Sequence, residues 1–488
     1  MPDLPIAFRL APTLLLAALL ALCGCSAKPA APAVPLASCH LKGLAQEAQC
    51  GSVSVPEDYS RPAGRKLSIR FAVIPAGARF KDADPLFVIA GGPGQSAVSL
   101  AGPVAMLFAS LNQRRDLILV DQRGTGASAP LECAMPDPGR DPLALSLAHQ
   151  QQAVAACAMR HERAGRDLRQ YITSVAVRDF EAVRRALGGP KLNLWGVSYG
   201  TRAALEYHRQ FPAAVRSIVL DSVAPADMAL PASFARDAEA MLSFWLASCE
   251  AERECARRLP DLRANLQRWL AADTRTLALR APDDGRVLSL TADTSVLTAS
   301  LRTPLYAPQT ARMLPFAIDR ATRGDASALM ALSSSPGDGL EGGFALGMHF
   351  AVLCSEDLPR VKREDFERRG IFGGQLARYY ALMCASFPRA QVPDAFYARP
   401  SGDVPVLTLS GGLDPVTPPG HARALLAKMS HVRALVAPNL GHSVSGAPCA
   451  EDLITRFVRV PGAAIDGACL ARIPRPTAFL PPLNGAER

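Results

Sequence analysis

The chain predicts an α/β fold: a doubly wound, mostly parallel sheet with a mainly helical cap inserted into it. Three observations carry this expectation. Apolar runs that read as strands buried on both faces alternate with helical patterns in the N-terminal part. That alternation stops after Ala224-Pro225 and gives way to a mostly helical pattern reaching about residue 402. Strand–helix alternation then resumes over residues 404–460.

Taken in order, residues 51–55 and 67–74 are short β-like runs that open the core. Residues 85–90, 117–121, 192–197 and 217–220 read as parallel strands, with helical patterns over 175–187 and 201–211 between them. In residues 226–402, FARDAEAMLSFWLASCEAE and PDLRANLQRWLAA have helical spacing. A cap of this kind would restrict access to a site beneath it and exclude water. The glycine-rich residues 337–347 inside it read as a lid segment or a plain loop. The expected organisation is a signal peptide over 1–24, a Pro/Ala tether over 25–36, and core over 37–225. The cap over 226–402 and the rest of the core over 403–488 complete it. No repeat or internal linker interrupts it.

Residues 191–201, KLNLWGVSYGT, join a strand to a helix through Gly196-Val197-Ser198-Tyr199-Gly200. A G-x-S-x-G at such a junction is a serine-nucleophile elbow. The turn is tight enough to strain the serine backbone, and the flanking glycines remove side chains that would collide with strand and helix. A serine hydroxyl needs a base, and a histidine base needs a carboxylate to hold its tautomer. In this architecture they follow in the order Ser, Asp, His. The run VPVLTLSGGLDP would deliver Asp414 into the loop beyond a strand at 404–409. The run VRALVAPNLGHSV would place His442 beyond the next strand. Of the eight histidines, His442 is the one that follows a glycine after a core-like strand. His349 sits among apolar residues and is expected to be packed; His161, His208 and His421 lie on polar helical stretches and are expected to be solvated.

Upstream, PLFVIAGGPGQS is a strand followed by Gly91-Gly92-Pro93-Gly94. Such a turn lets backbone N–H groups approach a carbonyl oxygen, so the Gly92 N–H and the Tyr199 N–H are the expected oxyanion donors. A phosphate-binding loop is excluded, because neither G-x-G-x-x-G nor a following Lys-Ser/Thr is present. Asp121 and Arg123 are read as a buried ion pair or cap that braces the oxyanion loop.

The trio GGPGQS, VDQRGTGAS and GVSYGT, in this order, resembles the proline iminopeptidase and tripeptidyl aminopeptidase family of α/β-hydrolases. The resemblance implies an α/β-hydrolase fold and a serine exopeptidase acting at peptide N-termini. It implies Ser198 as nucleophile, Asp414 as triad acid and His442 as base. Iminopeptidases usually have histidine before Gly-Gly-Pro-Gly; here it is Ala90, which favours the secreted tripeptidyl-aminopeptidase-like branch. Such an enzyme must meet a substrate ammonium. The cap offers Cys354-Ser355-Glu356-Asp357, so Glu356, with Asp357 as second choice, is expected to bind the amine; the alternative is that these residues begin a helix. A carboxylesterase or amidase with the same triad is the rival activity, and a peptide-binding lipoprotein without catalysis the rival class. No metal or organic cofactor is expected.

Arg9 and an apolar run to Leu22 fit a signal h-region too short to span a bilayer. Leu22-Cys23-Gly24-Cys25 resembles a bacterial lipobox, which implies lipidation at Cys25 and a membrane-anchored protein of the cell envelope, periplasm-facing or on the outer membrane; a soluble secreted protein is the alternative. Ten of the twelve cysteines lie beyond this segment, an even number suited to an oxidising compartment. Spacing does not dictate connectivity; pairing by neighbourhood would give Cys39–Cys50, Cys133–Cys157, Cys249–Cys255, Cys354–Cys384 and Cys449–Cys469. No C-x-x-C argues for zinc. The net charge of +9 is scattered without a polybasic run, so nucleic acid is not an expected partner; peptides are.

Overall fold

The structure is a computed structural model and describes residues 34–280, 284–334 and 343–480. The signal segment, Cys25, most of the tether and most of 337–347 lie outside the described residues.

Among the described residues a nine-stranded sheet runs in the order β1-β2-β3-β5-β4-β6-β7-β10-β11. Its strands are β1 (Ala37–Cys39), β2 (Ala48–Pro56), β3 (Lys66–Ile74), β4 (Leu86–Ile89), β5 (Leu117–Val120), β6 (Leu192–Val197) and β7 (Val215–Asp221). The sheet ends with β10 (Val406–Gly411) and β11 (Val432–Ala437). The first three strands pair antiparallel, as does β3 with β5; the rest pair parallel. Both faces of the central strands are covered. Along β4, Phe87 and Ile89 point into one apolar core while Leu86 and Val88 point into the other. That is why these strands read as continuous apolar runs.

The cap lies between β7 and β10. Its longest helix is Leu230–Ala251; the helices Leu314–Thr322 and Gln375–Met383 pack against it, and Thr294–Arg302 packs against Gln375–Met383. The expectation of a mainly helical cap needs one addition: β8 (Thr274–Arg280) and β9 (Val287–Asp293) form an antiparallel hairpin. Leu277, Leu279, Leu290 and Ala292 bury one face of it while their neighbours are mostly exposed, a period of two within a helical surrounding.

Five disulfides join Cys39–Cys50, Cys133–Cys157, Cys249–Cys255, Cys354–Cys384 and Cys449–Cys469, as pairing by neighbourhood predicts. The one cluster of three metal-ligand types among the described residues is Cys133, Cys157 and His161, and its two sulfurs are spent in a disulfide. No helix among the described residues is long and apolar enough to cross a membrane.

Candidate active site

The strand β6 ends in the expected elbow. Ser198 has φ 55° and ψ −125°, a conformation an L-residue rarely adopts, and the helix Tyr199–Gln210 begins directly after it. The flanking glycines are required by space. A Cβ at Gly196 would stand 2.4 Å from the Gly200 carbonyl oxygen, and one at Gly200 would stand 2.3 Å from that of Ile89.

Asp414 follows β10 and is fully buried. One carboxylate oxygen accepts the backbone N–H groups of Val416 and Thr417, each at 2.8 Å. The other accepts the Thr417 hydroxyl at 2.7 Å and lies 2.9 Å from His442 Nδ1. Burial alone would raise the Asp414 carboxyl, but the His442 charge and these hydrogen bonds outweigh it and hold it below the ordinary carboxylate range. His442 lies beyond β11, and its backbone N–H donates to the Tyr306 carbonyl at 2.7 Å. The Tyr306 ring stands edge-on to the imidazole, with centroids 5.1 Å apart, so the cap touches the histidine directly.

Ser198 and His442 line one cavity of about 400 Å³ at the seam between sheet and cap. Gly91 and Gly92 share its wall, beside Trp195, Phe234, Phe344, Arg302 and His349. Most of the rest is apolar, and none of the described lining residues is a carboxylate.

The glycine-rich turn is held from two sides. From the core, Asp121 accepts the Ser96 hydroxyl at 2.6 Å and the N–H groups of Val98 and Ala127. From the cap, the Ala345 N–H donates to the Gly94 carbonyl at 2.9 Å. His349 Nδ1 lies 3.2 Å from the Pro93 carbonyl and its Nε2 lies 3.3 Å from the Tyr380 hydroxyl. A carbonyl can only accept, so Nδ1 carries the hydrogen and Nε2 accepts from Tyr380. Burial pushes the His349 imidazole down to about 4, so it is neutral at neutral pH.

Three sequence expectations change here. Arg123 pairs with Asp179, with two contacts of 2.7 Å, rather than with Asp121, so there is no Asp121–Arg123 ion pair, while Asp121 does cap and brace the glycine-rich turn. His161 and His208 are buried, and His421 packs against Asp237 at 2.8 Å; tertiary packing covers the polar helix faces on which they sit. Glu356 and Asp357 are buried and neither lines the Ser198 cavity. Asp357 is held by Arg202 through two contacts of 3.0 Å, and Glu356 by Thr173, so both carboxylates already have partners where a substrate ammonium was expected.

Asp221 escaped the sequence reading. It ends β7, and its carboxylate accepts the N–H groups of Val444 at 2.8 Å and Ser445 at 2.7 Å, while its backbone carbonyl accepts the Ser198 N–H at 2.9 Å. It therefore ties the elbow to the loop that carries His442. An acidic residue closing the buried apolar run Ile218–Leu220 was the available signal.

Comparison with known proteins adds the relationship. Residues 84–334 match the family described as alpha/beta hydrolase fold, and residues 371–469 match the one described as TAP-like protein. A tripeptidyl aminopeptidase of Streptomyces coelicolor is 29% identical over 471 residues, covering 89% of this chain and 85% of its own. Carboxylesterase B of Mycobacterium tuberculosis is 30% identical over 412 residues, covering 76% of each chain. Serine protease Hip1 of Mycobacterium bovis is 32% identical over 189 residues, covering 36% of this chain and 35% of its own.

Proposed function

Since the chain belongs to the alpha/beta hydrolase fold family and carries a TAP-like C-terminal part, we propose that it is a serine aminopeptidase releasing short peptides or single residues from free N-termini. The observation that carries the reading is that His442, paired with the buried Asp414, lines the same cavity as Ser198 on its strained elbow. The similarity to a tripeptidyl aminopeptidase along most of the chain supports the substrate class.

In this mechanism Ser198 Oγ attacks the scissile carbonyl and His442 takes its proton. Asp414 holds the Nδ1 hydrogen and stabilises the imidazolium. The tetrahedral oxyanion accepts from the N–H groups of Gly92 and Tyr199. The latter begins a helix, where no intrahelical acceptor competes for it. His442 returns the proton to the departing amine, then activates the water that hydrolyses the acyl-enzyme. The apolar wall around Trp195 and Phe234 suits apolar side chains of the substrate.

A panel of aminoacyl-, dipeptidyl- and tripeptidyl-anilides, free and N-acetylated, tests the reading. Free-amine substrates should exceed their acetylated counterparts in kcat/KM by about tenfold or more, roughly 1.4 kcal/mol. The second reading, a carboxylesterase or amidase, draws on the lack of a carboxylate among the described lining residues. Faster cleavage of acetylated anilides or simple esters would replace the first reading with it.

The lipobox-like Leu22-Cys23-Gly24-Cys25 and the five disulfides support export to an oxidising compartment with a lipid anchor at Cys25. Cys25→Ser should move the protein from the membrane fraction to the soluble one. Wild-type protein that fractionates as soluble and carries no acyl chain would refute the anchor.

A further inference from the structure

Residues Leu353–Asp357 form a π-helical turn at the end of the cap helix Leu346–Val352, and Cys354–Cys384 fastens it. Such turns recur at functional positions because they re-aim side chains. This one drives two carboxylates into the core, and they divide their partners. Asp357 takes the Arg202 guanidinium through two bonds and also accepts the Leu230 N–H at 3.1 Å. Glu356 lies farther from Arg202, at 3.4 Å, and makes its short bonds elsewhere. Its Oε1 accepts the Thr173 N–H at 2.6 Å, and its Oε2 lies 3.0 Å from the Thr173 hydroxyl.

The chain of bonds continues to the elbow. Thr173 Oγ1 lies 2.6 Å from the Tyr199 phenol, and Gln122 Nε2 donates to that phenol at 2.9 Å. Tyr199 directly follows the serine, and its side chain is fully buried. A count of donors gives the chain a direction. When Glu356 is ionised, the Thr173 hydroxyl donates to it, accepts from the Tyr199 O–H, and the Tyr199 oxygen accepts from Gln122; every group is matched. When a hydrogen sits on Oε2, Thr173 must donate to Tyr199, whose O–H then has no acceptor among these linked groups. A buried donor without an acceptor is costly, so the first arrangement is the one that locks Tyr199.

We propose that Glu356 is a positioning residue: reaching from the cap, it fixes the first turn of the nucleophile helix through Thr173 and Tyr199, and so aims the Tyr199 N–H at the oxyanion. This rests on the serine-hydrolase reading but not on the amine specificity. The cap thereby completes the oxyanion site as well as covering it.

Glu356→Gln is the test, because its amide group would donate to Thr173 and impose the mismatched direction. The readouts are kcat and KM on a free-amine peptide anilide and on a small neutral ester, with the rate of Ser198 labelling by a fluorophosphonate. Misplacement of one oxyanion donor should lower kcat and labelling about 10- to 100-fold on both substrates, with KM within about twofold. Tyr199→Phe should show a similar loss, and the double variant should lose no more than the worse single one. Where Glu356→Gln folds poorly, Thr173→Val should reproduce the loss and Thr173→Ser should restore activity. A loss confined to the free-amine substrate and expressed in KM would make Glu356 an ammonium ligand and overturn the proposal. Unchanged kcat on both substrates, or independent multiplicative losses in the double variant, would overturn it as well. Wild type that labels but cleaves neither substrate would defeat the aminopeptidase reading alone, and labelling would still decide the role of Glu356.

Discussion

Ser198→Ala is expected to lower turnover by about 10⁶-fold while the protein keeps its fold, a magnitude taken from the subtilisin serine knockout. The argument is local. The elbow backbone is held by the glycines on either side and by the Ser198 N–H donating to the Asp221 carbonyl, and none of this involves Oγ. Removing one oxygen therefore leaves the strained turn standing and takes away the only atom that can carry the acyl group. What survives is the residual rate of a site that still binds substrate and presents its N–H groups. Steady-state turnover, fluorophosphonate labelling with mass mapping, and circular dichroism check this together. Labelling at a different serine, or turnover within tenfold of wild type, would remove Ser198 from the mechanism.

Asp414→Asn should cost about 10⁴-fold in kcat with the geometry retained, the size seen when a triad aspartate is replaced by its amide. One carboxylate oxygen of Asp414 serves the backbone of Val416 and Thr417, and an amide oxygen can still do so. The other faces His442 Nδ1 and the Thr417 hydroxyl, and there the amide presents an NH₂ group. Nδ1 must then accept rather than donate, so the hydrogen moves to Nε2, where the base has to be bare. The loss should fall on kcat and leave KM nearly unchanged. Acid acts on the wild-type pair in a related way. Because the folded carboxyl lies below its ordinary value, the stabilisation it gives is complete above that ordinary value and fades as pH falls through the folded one. A variant within about tenfold of wild type at neutral pH would show that Asp414 does not orient the base.

How much of this was legible in the sequence varies with the range of the interaction. The parallel strands were readable because burial on both faces leaves an unbroken apolar run, as in LILV of β5. The elbow was readable because its constraint is contained in five consecutive residues. Asp414 was readable because it stands just past such a strand, β10, and His442 because it stands past the apolar run of β11, although that edge strand is buried on one face only; the parallel sheet gathers those ends along one edge. Glu356 shows where this stops. Its two-carboxylate neighbourhood was visible, but Arg202, Thr173 and Tyr199 come from distant segments, and only packing decides that they face it rather than the cavity. The buried histidines failed for a similar reason: His161 and His208 sit on helix faces that look polar and are covered by other parts of the fold. The β8–β9 hairpin was missed because its alternation is short and lies between helices.

The pairing of β7 with β10 has a consequence for how the protein is made. Ile218 lies beside Val406 in the sheet, yet the whole cap separates them along the chain. A ribosome produces Ser198 long before Asp414 and His442, and the sheet that gathers them cannot close until the intervening cap has emerged. On the proposed mechanism, an unfinished chain therefore holds a nucleophile without a base. An abandoned fragment would be chemically silent, and hydrolytic capacity becomes a mark that synthesis and folding have both been completed.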